Sequence, residues 1–186
     1  MSDEEIVNMA LREPALFGHI IDRYEQPLCR YIRRLGVKEV EDQQDVMQEI
    51  FIKVYKNLNG FDTKLKFSSW IYRIAHNEAI TWFRKRNVRP EGHLIVNNEE
   101  ILNLAKSNDS DQEKLFDKEI NIETLNKALE EIEEKYRAVL ILRFFEQREY
   151  DEISDILEIP IGSVGTLIHR GKKQLKDKIN PSQVSV

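Results

Sequence analysis

The sequence predicts an all-α protein: two small helical domains joined by a flexible acidic tether. Three observations carry this expectation. Only seven Gly and five Pro punctuate 186 residues, of which 41% are hydrophobic and 33% charged, a balance that suits long helices and supports real cores. Apolar side chains recur at three- and four-residue intervals along most of the chain, the period of amphipathic helices. That period fades across residues 91–121 into a stretch rich in Asn, Asp, Glu and Ser, the composition of a linker that lets its flanks move separately. The expected division is a first domain over residues 1–90, a linker over 91–121, a second domain over 122–180 and a polar tail over 181–186.

The first helical region runs from about Glu4 to Leu35, with Leu16, Phe17, Ile20, Ile21, Tyr24, Leu28, Tyr31, Ile32 and Leu35 as its apolar stripe. Pro27 has no N–H to donate, so a kink or a new helix is expected there. Gly36 is a stop signal. A second helix spans about Asp42 to Leu58, with Val46, Met47, Ile50, Phe51, Val54 and Leu58 inward and Asp45, Gln48, Glu49, Lys53 and Lys56 outside that stripe. Asn59-Gly60 marks a turn. After a short loop, Phe61 to Phe67, the stretch FSSWIYRIAHNEAITWFRKR reads as one helix, with Ser68 or Ser69 as its cap. Trp70, Ile71, Ile74, Ala75, Ala79, Trp82 and Phe83 recur at helical spacing, while Arg73, His76, Asn77, Ile80 and Arg84 fall on another face. In the second domain Leu125, Leu129 and Ile132 start one helix, and Tyr136 to Phe144 continue in another. Tyr150 to Leu157 forms a third, and Ile161 to about Ile179 a last one.

Charge is unevenly placed. The formal net charge is −5, yet residues 61–93 hold seven Lys and Arg against three Asp and Glu. Residues 161–178 hold five against one, and the intervening 94–134 hold four against twelve. Two basic blocks thus flank an acidic middle, and the distribution matters more than the sum for phosphate binding. In the first block rings and cations alternate: aromatic rings stack on unpaired bases, and Arg and Lys neutralise phosphates. The alternative for this block is a core stripe beside a solvated face.

The second block lies in YDEISDILEIPIGSVGTLIHRGKK, which has helix-turn-helix form. Ile153, Ile156 and Leu157 line the inner side of the short helix. Ile161, Val164, Ile168, Gly171 and Leu175 line that of the next, which presents Ser163, Thr166, His169, Arg170 and Lys173 outward. A recognition helix needs this division between a docked side and a side that reaches the major groove, where Arg can bond guanine edges. The alternative is a plain helical hairpin.

Other chemistries find no support. The sequence lacks a Gly-rich phosphate loop and a nucleophile elbow. None of His19, His76, His93 or His169 stands at metal-ligand spacing with another His or Cys, and the single cysteine, Cys29, excludes a disulfide. No enzyme activity and no cofactor are expected. The acidic start, MSDEEI, is not a secretory signal, and no apolar run reaches membrane-spanning length, so a cytoplasmic protein without membrane insertion is expected.

The order DVMQEIFIKVYKNL, then FSSWIYRIAHNEAITWFRKR, then an acidic linker, then LRFFEQREYDEISDILEIPIGSVGTLIHRGKKQL resembles the extracytoplasmic-function sigma factors, small two-domain members of the bacterial sigma-70 family. The resemblance implies an alternative sigma factor that binds RNA polymerase core and directs promoter-specific initiation. The first domain would be sigma region 2. Asp45, Gln48 and Glu49, with Lys53, would meet the polymerase clamp coiled coil. Phe61, Lys64, Phe67, Arg73, His76, Asn77, Arg84, Lys85 and Arg86 would read the minus-10 element as flipped, single-stranded base and hold its backbone. The second domain would be region 4, reading minus-35 duplex through Ser163, Thr166, His169, Arg170 and Lys173. Implied partners are the polymerase clamp and flap, promoter DNA and an anti-sigma factor. The chain departs from the family at Gly165, where Arg or Lys is frequent, and at Gly171, where Ala is common. Two rivals to this reading are a helix-turn-helix repressor or activator that binds free duplex tightly, and a helical adaptor that never touches nucleic acid.

Overall fold

The computed structural model describes residues 1–62, 65–86, 127–129 and 131–179. Among these residues the structure is helical throughout, with no strand. The expected linker, the tail and Lys64 lie outside them.

Helix α1, Asp3–Arg12, starts from a capping box: the Glu5 N–H donates to Ser2 Oγ (3.2 Å) and the Ser2 N–H to Glu5 Oε2 (2.6 Å). It ends at Glu13, which is extended (φ −134°, ψ 102°) because Pro14 follows. A 3₁₀ turn, Pro14–Phe17, leads into α2, Gly18–Leu35. The break in the first helical region therefore falls at Glu13-Pro14 and not at Pro27, which sits inside α2. Pro27 leaves only the Arg23 carbonyl without its helical N–H, and the apolar stripe on either side of it remains buried. Gly36 stops α2 with φ 126°. The N–H groups of Gly36 and Val37 close on the carbonyls of Arg33 (3.0 Å) and Ile32 (3.1 Å), which satisfies the helix end.

Helix α3 covers Val40–Asn57 and passes through a 3₁₀ turn, Leu58–Gly60. Gln43 ties its entry loop by donating to the carbonyls of Val37 (3.0 Å) and Lys38 (2.9 Å). Helix α4 covers Phe67–Arg86, as the periodicity predicts. Its first residue precedes Ser68 and Ser69, so neither serine caps it; the Ser69 hydroxyl is instead buried without a hydrogen-bond partner. Helices α2, α3 and α4 enclose a core of Ile20, Leu28, Tyr31, Ile32, Ile50, Ile71 and Tyr72, each at most 1% exposed.

In the second part, α5 (Glu134–Leu140) runs into a π-helical turn (Ile141–Phe145), followed by α6 (Tyr150–Leu157) and α7 (Ile161–Ile179). Val164, Ile168, Gly171 and Leu175 of α7 are buried. Gly171 marks a close approach: a Cβ there would stand 3.2 Å from Leu140 and from Tyr136. Ile161, expected inward, is 56% exposed because it occupies the first turn, ahead of the packed stripe.

Gly36 is the position where backbone conformation demands glycine. Gly36→Ala should destabilise the first domain by about 1–2 kcal/mol, the cost of a left-handed L-residue; a thermal or urea melt followed by circular dichroism measures it.

Candidate functional site

Helix α4 divides its surface three ways. Ile71, Ala75, Ala79 and Phe83 are buried in the bundle. A second side, carrying Tyr72, Arg73 and His76, faces the second domain. A third side is open to solvent and presents Asn77, Arg84, Lys85 and Arg86. Thr81 Oγ1 donates to the Asn77 carbonyl (2.7 Å), one turn back along the helix. Arg86 is held by Asp42 through two contacts (2.5 and 3.1 Å) and lies over the Trp82 ring, so of the three basic residues that close the helix, Arg84 and Lys85 are the more available.

Several residues expected to read DNA are placed differently. Phe67 is only 4% exposed, edge-on to Tyr24 and Phe61 and close to Trp70; with its ring inside this cluster it cannot stack on a base. Phe61 is half-buried against Phe67 and Trp70. Arg73 donates from Nε to the carbonyl of Asp155 (2.6 Å), near the end of α6, where a guanidinium complements the negative end of a helix. His76 Nδ1 lies 3.0 Å from Tyr31 Oη. Burial lowers the His76 pKa to about 4 and pushes the Tyr31 phenol well above its ordinary range. His76 is thus a neutral interface residue in this conformation. Lys64 lies outside the described residues.

The helix-turn-helix is fixed by a compact turn. Glu158 adopts a left-handed conformation (φ 54°, ψ 42°). Ser154 Oγ donates to the Ile159 carbonyl (2.6 Å), the Ile159 N–H to the Ser154 carbonyl (3.2 Å), and the Ser163 N–H to the Pro160 carbonyl (2.8 Å). On α7, Thr166, His169, Arg170 and Lys173 are exposed, opposite the buried stripe, and Ser163 is half-buried. Gly165 lies beneath the Tyr150 ring; a Cβ there would meet it at 3.5 Å, an ordinary contact, so space does not require glycine.

Along α3, Asp45, Gln48, Glu49 and Lys53 face outward. Lys53 pairs with Glu78 of α4. Beside this row a groove of about 620 Å³ opens between α2 and α3, lined by Ile21, Cys29, Met47, Gln48, Phe51 and Ile52 among others.

Periodicity gives no hint of the contact between the two domains. Glu146, on the tight connection after the π-helical turn, accepts from Arg34 Nη1 (2.7 Å) and from the Tyr72 hydroxyl (2.8 Å). The side chains of Arg34 and Glu146 are 9% and 6% exposed. Arg148 lies 4.2 Å over the Tyr72 ring, and Lys66 reaches Asp151 (3.4 Å) and Glu152 (3.8 Å). Burial, then the Glu146 charge, raises the Tyr72 pKa beyond its ordinary range. Among the described residues no cluster of His, Cys, Asp or Glu could hold a metal ion, and no helix is long and apolar enough to cross a membrane.

A three-sided helix on a bundle, followed by a helix-turn-helix with an exposed polar row, defines a two-part nucleic-acid-binding factor. Known proteins narrow this further. Residues 20–89 match sigma-70 region 2 and residues 122–175 match sigma-70 region 4. The chain is 33% identical over 168 residues to the ECF RNA polymerase sigma factor SigW of Bacillus subtilis, covering 88% of each chain. It is 30% identical to the sigma factor YlaC of the same organism, covering 87% of this chain and 90% of that protein. Its fold is similar to that of CnrH, solved in complex with the cytosolic domain of CnrY (TM-score 0.69, 18% identity, 96% and 97% of the two chains). The chain belongs to the extracytoplasmic-function sigma factors of the sigma-70 family. It is an alternative sigma factor that directs transcription initiation.

The depressed pKa of His76 sets a sign for acid stability. The unfolded chain takes up this proton near the ordinary imidazole value of 6.5 and the folded chain only near 4. The stability tied to neutral His76 is complete above 6.5 and is lost as pH falls toward 4. Wild type should therefore melt at a lower temperature at pH about 5 than at about 7.5, and His76→Phe should narrow that difference; calorimetry of both proteins measures it.

Proposed function

We propose that α4 reads the minus-10 element and α7 the minus-35 element, in two physically different ways. The observation that carries this reading is the pair of exposed polar faces: Asn77 with Arg84 and Lys85 on α4, and Thr166, His169, Arg170 and Lys173 on α7. Asn77 carries a donor and an acceptor, suited to a base extruded from the stack, while Arg84 and Lys85 hold the adjoining phosphates. Hydrogen bonds to the extruded base offset part of the unstacking energy. On α7 the spacing of Thr166, His169, Arg170 and Lys173 aligns one row of side chains with a major groove, and Ser163 sits at its entrance.

The outward face of α3, with Asp45, Gln48 and Glu49, docks on the polymerase clamp coiled coil, and the second domain meets the flap. The factor acts as a binding subunit in the cytoplasm and leaves catalysis to polymerase. An anti-sigma factor is its further partner: CnrH was solved with CnrY, and RpoE of Bartonella quintana, similar in fold at a TM-score of 0.63, with the anti-sigma factor NepR. A repressor would bind free duplex tightly without polymerase, so a gel shift on duplex alone separates that reading from this one.

Sequencing transcripts after overexpression supplies the promoter for the decisive tests. Asn77→Ala should reduce open-complex formation about tenfold or more, the worth of one or two hydrogen bonds to a base, while core-polymerase binding stays near wild type. Equal loss of both counts against the assignment. Arg170→Ala should weaken binding to minus-35 duplex by about 1–3 kcal/mol and relax preference at one base pair; competition with single-substituted promoters reads it out.

A further inference from the structure

A cavity of about 410 Å³ opens where the two domains meet, apart from the exposed rows of α4 and α7 proposed to read DNA. Its size falls within the range of small-molecule sites. Ala138 of α5, Leu157 of α6, Ile159 of the turn and Leu167 of α7 supply an apolar wall, and His76 of α4 supplies a polar group. Leu157, Ile159 and Leu167 are each only partly buried, so they leave hydrocarbon facing the cavity.

The hydrogen-bond inventory fixes what His76 offers. Tyr31 is fully buried, and among the described residues its hydroxyl has one partner, His76 Nδ1 at 3.0 Å. The phenol keeps its proton, because burial pushes its pKa well above the ordinary value. That proton has only Nδ1 to go to, so Tyr31 donates and Nδ1 accepts. The neutral ring then carries its own proton on Nε2. Nε2 lies on the far edge of the ring from that bond, and among the described residues nothing accepts from it. A donor left unpaired away from bulk water costs free energy until it meets an acceptor.

The mouth of the cavity disfavours anions. Lys135 pairs with Glu133 (2.8 Å), Gln174 donates to the same carboxylate (3.2 Å), and Glu134 stands beside them. With Lys135 committed to Glu133, an entering anion meets the Glu134 charge. Ordered water is a poor match as well, because a bound water uses about two to four polar partners, and the apolar wall supplies none.

We propose that this cavity binds a small, largely apolar molecule that carries a carbonyl-type acceptor and no negative charge. The acceptor takes the Nε2–H of His76, the hydrocarbon covers Leu157, Ile159 and Leu167, and the molecule touches both domains. The class follows from three features together: one unpaired donor, an apolar wall and an acidic mouth.

N-cyclohexylpyrrolidone, a neutral lactam, is the probe, and cyclohexylbutanoate is its anionic counterpart of similar size. Titrating the lactam to millimolar concentration into the full chain near neutral pH should shift the methyl resonances of Leu157, Ile159 and Leu167 and the Nε2 resonance of His76 saturably. The nitrogen spectrum should place the ring proton on Nε2 before any probe is added. His76→Phe removes the donor and keeps a flat ring, so the Kd for the lactam should rise about fivefold to tenfold, the worth of one hydrogen bond. Leu167→Trp fills the cavity and should abolish the Leu157 and Ile159 shifts. Circular dichroism melts show that both variants are folded. Cyclohexylbutanoate should bind the wild type more weakly than the lactam does. The site is overturned by the absence of saturable shifts at these residues, by a ring protonated on Nδ1, or by lactam binding that both folded variants leave unchanged. Preference for the carboxylate overturns the ligand class.

Discussion

Helix α4 works under one constraint: it must bury a stripe permanently and still keep a face for other molecules. The stripe of Ile71, Ala75, Ala79 and Phe83 meets the first demand. Small Ala residues at its centre let α4 sit close to its neighbours, and Tyr72 and Tyr31 fill the volume beside them with their rings 5.1 Å apart. Those phenols carry polar atoms into the core, which costs free energy unless partners are found. The partners are His76 for Tyr31 and Glu146 for Tyr72. The packing of the first domain is thus completed by a residue of the second, and the docking of the two follows from satisfying Tyr72.

The charge pattern separates tasks that net charge conceals. An overall −5 disfavours indiscriminate phosphate binding by the free chain. Arg84 and Lys85 on α4 and Arg170 and Lys173 on α7 are exposed on the two faces proposed to read DNA. Other cations are paired internally: Arg34 with Glu146, Lys53 with Glu78, and Arg86 with Asp42. Weak affinity for bulk DNA and selective contact at two places are compatible because the cations are distributed in this way.

Much of the helical layout was legible in the sequence because periodicity reports burial. Phe67–Arg86, Tyr150–Leu157 and Ile161–Ile179 appear where the apolar spacing places them. No new helix starts at Pro27, one of the two outcomes expected there: a proline removes one hydrogen bond, and a well-packed stripe on both sides outweighs that loss. The outward rows on α3 and α7 were likewise legible, since helical period separates an exposed face from a buried one. Phe67, Arg73 and His76 were not. Composition marks them as rings and cations suited to nucleic acid, but their surroundings depend on Tyr24, Asp155 and Tyr31, tens of residues away. No local pattern encodes such pairings, and Glu146 stands in a loop with no period at all.

Charged and polar groups mark the contact between the two domains. An apolar interface of similar extent would gain free energy from every area of surface removed from water, and both faces would be aggregation-prone when exposed. A buried ion pair behaves differently. The desolvation of Arg34 and Glu146 offsets much of their attraction, so the pair contributes orientation more than net stability. Tyr72 is 1% exposed, and the second domain shields both ends of it: Arg148 covers the ring and Glu146 accepts from the hydroxyl. A contact built on such groups fixes a defined geometry more than it adds net stability.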